Sequence, residues 1–242
     1  MTAWVGTSGW SYDHWVGVLY PPGTTARGRL DRYLEEFSTV ELNSSFYRWP
    51  RDSTFAIWRS RLPTDFRFAV KAPRGLTHAK RLRDPDAWID RLRSGLHELA
   101  GRRGPLLVQL PPDQQRDDAR LEYFLQQVPT WMRVVVEFRH RSWIADEVFS
   151  MLGRYGAAYC VMSGAQLPCI LRATADFVYL RLHGPDESNL YGGSYSDQDL
   201  HWWAARIREW QAGGREVYAY FNNDGQGNAV RNARQLRDLL GA

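Results

Sequence analysis

Two carboxylates, three cations and a histidine recur along this chain at positions suited to acid–base chemistry on a small anion. They are Glu41, Lys71, Glu137, Arg139, Arg181 and His183. A glutamate takes or gives a proton when burial and neighbouring cations set its pKa. A histidine changes charge near physiological pH and is the natural shuttle. Lysine and arginine hold an anionic substrate and stabilise the charge that develops on an enolate. We read Glu41, Lys71, Glu137 and His183 as catalytic candidates. Trp10, Asn43, Tyr47, Arg74, Gln109, Arg139, Arg181, Tyr220, Asn222, Asn223 and Asp224 are the substrate-binding candidates. The competing interpretation is a structural salt-bridge cluster. A buried ion pair often gives no net stability over apolar packing, so a chain seeking stability alone could have used Val or Leu.

A metal centre is the sharper alternative. Glu41, Glu137, His183 and Asp224 are hard or borderline ligands. No His-x-His or His-Glu-x-x-His pair supports them, and three nearby cations would oppose a divalent ion. The reading assigns no metal ligands, does not favour a divalent metal, and finds no organic cofactor motif, so the cofactor is left unknown. Glycines at Gly192-Gly193 and in Asn222-Asn223-Asp224-Gly225-Gln226-Gly227-Asn228 lie where phosphate sites form against a helix start, or simply permit tight turns. Aromatics crowd the same regions: Trp10, Tyr12, Trp15, Tyr20, Phe46, Tyr47, Trp49, Trp143, Tyr191 and Tyr195. Sugar rings and bases both stack on such surfaces, although several of these must be core.

Eight apolar runs would position these groups: Trp4–Gly9, Thr39–Phe46, Phe66–Arg74, Gly104–Pro112, Arg133–Arg139, Ala157–Met162, Phe177–Gly184 and Glu216–Asp224. Side chains alternate faces along a strand. Glu41 and Asn43 oppose Val40 and Leu42, and Arg181 and His183 oppose Val178, Leu180 and Leu182. The same parity holds for Lys71, Gln109, Glu137, Arg139, Tyr220 and Asn222. A closed parallel barrel packs one strand face on helices and turns the other to its axis. The sequence therefore predicts a ring of polar groups at one mouth. Between the runs lie amphipathic stripes, such as Trp88, Leu92, Leu96 and Leu99, or Leu200, Trp203, Ile207 and Trp210. Ser163–Asp176 holds Pro168 and no helical stripe. The expected fold is α/β, a single TIM-like (β/α)8 barrel over residues 1–242 with an irregular or short sixth crossover.

Composition bounds the function. At 242 residues the chain suits one such barrel, and 44% hydrophobic content fills its core. A net charge of +4 favours anionic ligands without the dense basic stripe of a dedicated nucleic-acid binder. The two cysteines, Cys160 and Cys169, are read as buried small hydrophobes in a reducing compartment, and His97 and His201 as helix-surface residues. Met1-Thr2-Ala3-Trp4 enters strand pattern without a signal-peptide signature, and no apolar run approaches the ~20 residues of a membrane span. A cytoplasmic protein with no membrane partner is expected.

Longer motifs carry a family resemblance. Gly6-Thr7-Ser8-Gly9-Trp10-Ser11-Tyr12, Glu41-Leu42-Asn43-Ser44-Ser45-Phe46-Tyr47-Arg48 and Lys71-Ala72-Pro73-Arg74-Gly75-Leu76-Thr77-His78 resemble motifs of the YecE-like family, domain of unknown function 72. Leu107–Pro112, Glu137–Trp143, Tyr179–Gly184 and Tyr220–Asp224 match in order as well. The resemblance implies a TIM-like barrel and, at most, a likeness to sugar isomerases. It also implies an aspartate near the end of strand six, where this chain has Met162-Ser163. Taken together, the residues indicate an enzyme acting on a small anionic polyol, a sugar phosphate or nucleotide-like molecule, by isomerase- or epimerase-like acid/base chemistry. Hydrolysis is a further reaction class. The alternatives are a nucleic-acid-binding or processing protein using basic and aromatic rim residues, and a sensor without turnover.

Overall fold

The computed structural model describes residues 2–241; the terminal residues Met1 and Ala242 of the expected 1–242 span lie outside them. Eight strands form: β1 (Ala3–Thr7), β2 (Thr39–Leu42), β3 (Arg67–Lys71), β4 (Arg103–Gln109), β5 (Val134–Glu137), β6 (Ala158–Ser163), β7 (Phe177–Leu182) and β8 (Glu216–Phe221). Helices alternate with them: α1 (Arg29–Leu34), α2 (Ser44–Tyr47), α3 (Asp52–Arg61), α4 (Asp86–Glu98), α5 (Asp118–Gln127), α6 (Asp146–Arg154), α7 (Asp197–Ala212) and α8 (Asn228–Leu240). The strands run β1-β8-β7-β6-β5-β4-β3-β2 in one sheet. A parallel bridge from Ser8 to Glu41 and a 2.7 Å bond from Gly9 N–H to the Glu41 carbonyl join the two outer strands of that order. The fold is an α/β TIM-like barrel. No helix forms between β6 and β7, matching the irregular sixth crossover read from Ser163–Asp176.

Chain contacts group the residues into two compact units. One comprises Met1–Glu41, Val161–Leu171 and Asp176–Ala242; the other comprises Leu42–Cys160 and Arg172–Ala175. In the first, β7 pairs with β8 and β8 with β1, each in parallel register. Gly6 allows β1 to approach β2, since a Cβ there would fall 2.3 Å from the Thr39 carbonyl oxygen. In the second, Val134–Glu137 pairs residue for residue with Leu106–Gln109. The β-branched run Val134-Val135-Val136 is fully shielded, as strands covered on both faces require.

Three corrections concern local structure. The run read as a strand through Phe46 ends at Leu42, and Ser44–Tyr47 turns into α2. The buried Ser45 hydroxyl lies 2.9 Å from the Leu42 carbonyl and 2.7 Å from that of Lys71, a local hydrogen bond that competes with strand continuation. Similarly, β3, β5, β7 and β8 end before Arg74, Arg139, His183 and Asn222, although the His183 and Asn222 N–H groups still donate across to the Ser163 and Leu182 carbonyls at 2.7 Å. Cys160 is buried as expected, but Cys169 is exposed, because the helix-free sixth crossover has no packed face to cover it.

Candidate functional site

The centre of the first unit is a carboxylate held by four donors. Arg181, on β7, donates from Nε to Glu41 Oε2 at 3.0 Å and from Nη2 to Oε1 at 2.9 Å. The Ser8 hydroxyl donates to Oε1 at 2.6 Å and the Tyr179 hydroxyl to Oε2 at 2.7 Å. Glu41, Ser8 and Arg181 are essentially excluded from solvent. Burial first, and then the charge of Glu41, pushes the Tyr179 phenol well above its ordinary value, so it stays a donor. The fork-on-fork geometry fixes the guanidinium plane rather than only its charge. Tyr220, fully buried, packs its ring 5.1 Å from Tyr179 and bonds Thr39 Oγ1 at 2.6 Å.

Two residues beyond Arg181 stands His183, also buried. Its backbone N–H donates to the Ser163 carbonyl at 2.7 Å, and Asn222 Nδ2 lies 3.1 Å from Nδ1. With the Asn222 amide nitrogen as donor, Nδ1 is the acceptor and a neutral ring carries its proton on Nε2. The exposed ring of Tyr191 meets it edge-on at 5.3 Å. Gly184 follows with φ +107, and a Cβ there would strike the Gly192 carbonyl at 2.1 Å. Tyr195 clamps this turn, its hydroxyl accepting from Gly184 N–H at 3.0 Å and lying 3.1 Å from Ser163 Oγ. Burial raises the Tyr195 phenol to about 12. A cavity of about 560 Å³ opens beside these strand ends, lined among others by Ser163, Leu167, Cys169, Tyr195 and Trp202.

The β8 loop is mainly scaffold. Buried Asn223 donates to the Gly193 carbonyl at 3.0 Å and to Asn232 Oδ1 at 2.9 Å. Asp224 takes the Trp15 indole N–H at 2.5 Å and faces His14 Nε2 at 2.9 Å. Its carboxyl is raised by burial, against the pull of Trp15 and His14. Trp15 and Tyr20 are core residues, while Trp10 is half-buried and its carbonyl receives the Tyr20 hydroxyl.

The second unit holds the remaining candidates. Glu137 is fully buried at the end of β5, with Arg139 Nε donating to its Oε1 and Cys160 Sγ 3.7 Å from its Oε2. Gln109, half-buried, is the register partner of Glu137 on β4. Lys71 ends β3 with its ammonium 4.6 Å above the Phe46 ring. Arg74 is exposed and precedes a π-helical turn, Gly75–Ala79, a conformation often found at functional sites. Asn43 heads α2, its buried Oδ1 without a partner among the described residues, and Tyr47 is 82% exposed.

Sequence reasoning missed Ser8 and Tyr179 as ligands of Glu41, although both lie inside the quoted motifs. It also missed His78, which the structure packs against Phe46 at 4.9 Å. His97 and His201 lie on helix surfaces as expected. Among the described residues, no group of three or more His, Cys, Asp or Glu gathers as a metal cage, and no helix is long and apolar enough to cross a membrane.

Comparison with known proteins supplies the family context. The model of "Protein of unknown function DUF72" matches residues 4–242. The UPF0759 protein YunF of Bacillus subtilis is 28% identical over 270 residues, covering 98% of this chain and 94% of that protein. The UPF0759 protein YecE of Escherichia coli K12 is 31% identical over 143 residues, 59% of this chain and 50% of that one. Among solved structures, a DUF72 family protein of Thermotoga maritima is 29% identical with a TM-score of 0.90, covering 100% of both chains. One from Enterococcus faecalis superposes with a TM-score of 0.83 at 18% identity, covering 100% of this chain and 96% of that one, a likeness of fold alone.

Proposed function

Because this chain belongs to the DUF72 family, which carries no assigned reaction, we propose its function from the site itself. It is an enzyme acting on a small anionic polyol, a sugar phosphate or nucleotide-like molecule, by acid/base chemistry of the isomerase or epimerase kind. The observation that carries the reading is the buried, bidentate Glu41–Arg181 pair with the His183–Asn222 pair just past the end of β7. Four donors already occupy the Glu41 oxygens. In this reading Glu41 is a positioning residue that fixes Arg181 for an anion. His183, held at Nδ1 by Asn222, is the proton-transfer group of this reading. Lys71, Gln109, Glu137 and Arg139 belong to the second unit, where Arg139 and Glu137 form a buried ion pair of their own.

A thermal-shift screen of phosphorylated metabolites, with and without divalent metals, tests this reading, since a ligand of the folded state raises the melting temperature by mass action. Arg181→Lys keeps the charge but loses the fork, and should weaken the hit by about tenfold or more. His183→Gln should keep the melting shift while turnover of the hit falls by about 10²-fold or more. A ligand that shifts melting equally in all three proteins and is never converted would refute the enzymatic reading.

A further inference from the structure

We infer that Phe46, Tyr47, Lys71, Arg74, His78 and Arg81 form a recognition site for a mononucleotide, a phosphate ester carrying a flat aromatic base. The inference rests on the proposed function only for the choice of a small phosphorylated ligand; binding is measurable without turnover. The aromatic part is built on α2. Ser45, hydrogen-bonded toward the Lys71 carbonyl at 2.7 Å, ties α2 to the end of β3. Phe46 then meets three groups: the Lys71 ammonium at 4.6 Å, the His78 ring edge-on at 4.9 Å and the Tyr47 ring edge-on at 5.2 Å. Tyr47 itself is 82% exposed, so its ring adds almost nothing to the core. An exposed tyrosine braced by a second ring is a stacking platform, and every base has a π-face to offer it.

The charged part surrounds the same rings. Burial, followed by the charges of Lys71 and Arg74, holds the His78 imidazole below its ordinary value; Arg81 adds to this and Asp113 opposes it. Lys71 beside the Phe46 ring and Arg74, exposed three residues later, supply positive charge that a phosphate would meet. Arg81 divides its charge with Asp113, while Arg74 is exposed beside the π-helical turn. The Thr77 hydroxyl, 3.2 Å from the Pro73 carbonyl and 3.0 Å from His78 Nδ1, fixes the ring through that nitrogen. Asn43 Oδ1, buried and without a partner among the described residues at the head of α2, is a further acceptor for a ligand N–H or hydroxyl. A sugar phosphate would use the cations but leave the rings idle. A polynucleotide needs many phosphate contacts strung along a groove, and this cluster is confined to one loop and one short helix.

Isothermal calorimetry at fixed ionic strength tests this, with the four ribonucleoside monophosphates, ribose 5-phosphate, inorganic phosphate and a short oligoadenylate as probes. At least one nucleoside monophosphate should bind about tenfold or more tightly than ribose 5-phosphate. Tyr47→Ala should erase that margin, whereas Arg74→Ala should weaken both phosphate esters alike; both variants alter exposed side chains and should melt with the wild type. Equal affinity for nucleotide and ribose 5-phosphate, or a margin that survives Tyr47→Ala, overturns the base contact. Oligoadenylate binding far tighter than AMP and falling steeply with salt overturns the mononucleotide assignment in favour of a polynucleotide. Nucleotide binding that depends on Tyr47, with no turnover of any bound ligand, leaves this site standing and removes the enzymatic reading.

Discussion

Removing the Glu41 carboxylate should cost the fold several kcal/mol, and removing its partner as well should restore much of the loss. Glu41→Leu leaves the Arg181 guanidinium, 1% exposed, facing the hydroxyls of Ser8 and Tyr179 without its counter-charge. Breaking a buried ion pair by removing one partner costs about 3–5 kcal/mol. At about 2–4 °C per kcal/mol for a chain of this size, the melting temperature should fall by roughly 10 °C. In Glu41→Leu/Arg181→Met both charges of the pair are gone, and an apolar replacement of a buried pair is often neutral to stabilising. The double variant should therefore be at least ~2 kcal/mol more stable than Glu41→Leu alone. Urea unfolding followed by circular dichroism of wild type, both single variants and the double gives the cycle. A single-variant loss under ~1 kcal/mol, or a double variant at the sum of the singles, would refute the assignment of Glu41 and Arg181 as one mutually dependent buried pair. A stable double variant that no longer responds to the ligand found by thermal shift would further show that the pair serves binding rather than folding.

Two further outcomes follow from the same geometry. Tyr195→Phe deprives the Gly184 N–H of its acceptor and should destabilise the protein by about 1–3 kcal/mol in urea unfolding; a loss under ~0.5 kcal/mol would show that Tyr195 does not clamp the turn after β7. Burial holds the Asp224 carboxyl above its ordinary value, so its stabilising contribution is complete below the unfolded-state pKa and is lost as pH rises through the folded one. The melting temperature of Asp224→Asn relative to wild type should accordingly climb as pH rises above the ordinary carboxylate range, and a flat difference would contradict the raised carboxyl.

Local pattern was enough for the architecture. Apart from the short α2, which was read as strand, the strands and helices announce themselves within a few residues, because alternation at period two and stripes at period 3.6 report which side of a single element is buried. The eight strands, the helices between them and the helix-free stretch between β6 and β7 were legible for that reason. Strand ends were less so. Phe46, Arg74, Arg139, His183 and Asn222 lie beyond the strands that the apolar runs led into, since a hydroxyl such as that of Ser45 or a π-helical turn redirects the chain without disturbing its hydrophobic count.

What only tertiary structure decided was partnership. The sequence set two carboxylates and three cations at strand ends, but not which carboxylate meets which cation. Glu41 is paired with Arg181, 140 residues away, and with Tyr179 and Ser8, none of which its own neighbourhood singles out. Glu137 instead takes Arg139, two residues along its own chain. Periodicity assigns a side chain to a face; the distance between two faces depends on register, strand approach and the glycine that lets β1 draw close to β2. Hydrogen bonds and ion pairs act over about 3 Å. The roles of these groups therefore follow from the fold, although their presence follows from the sequence.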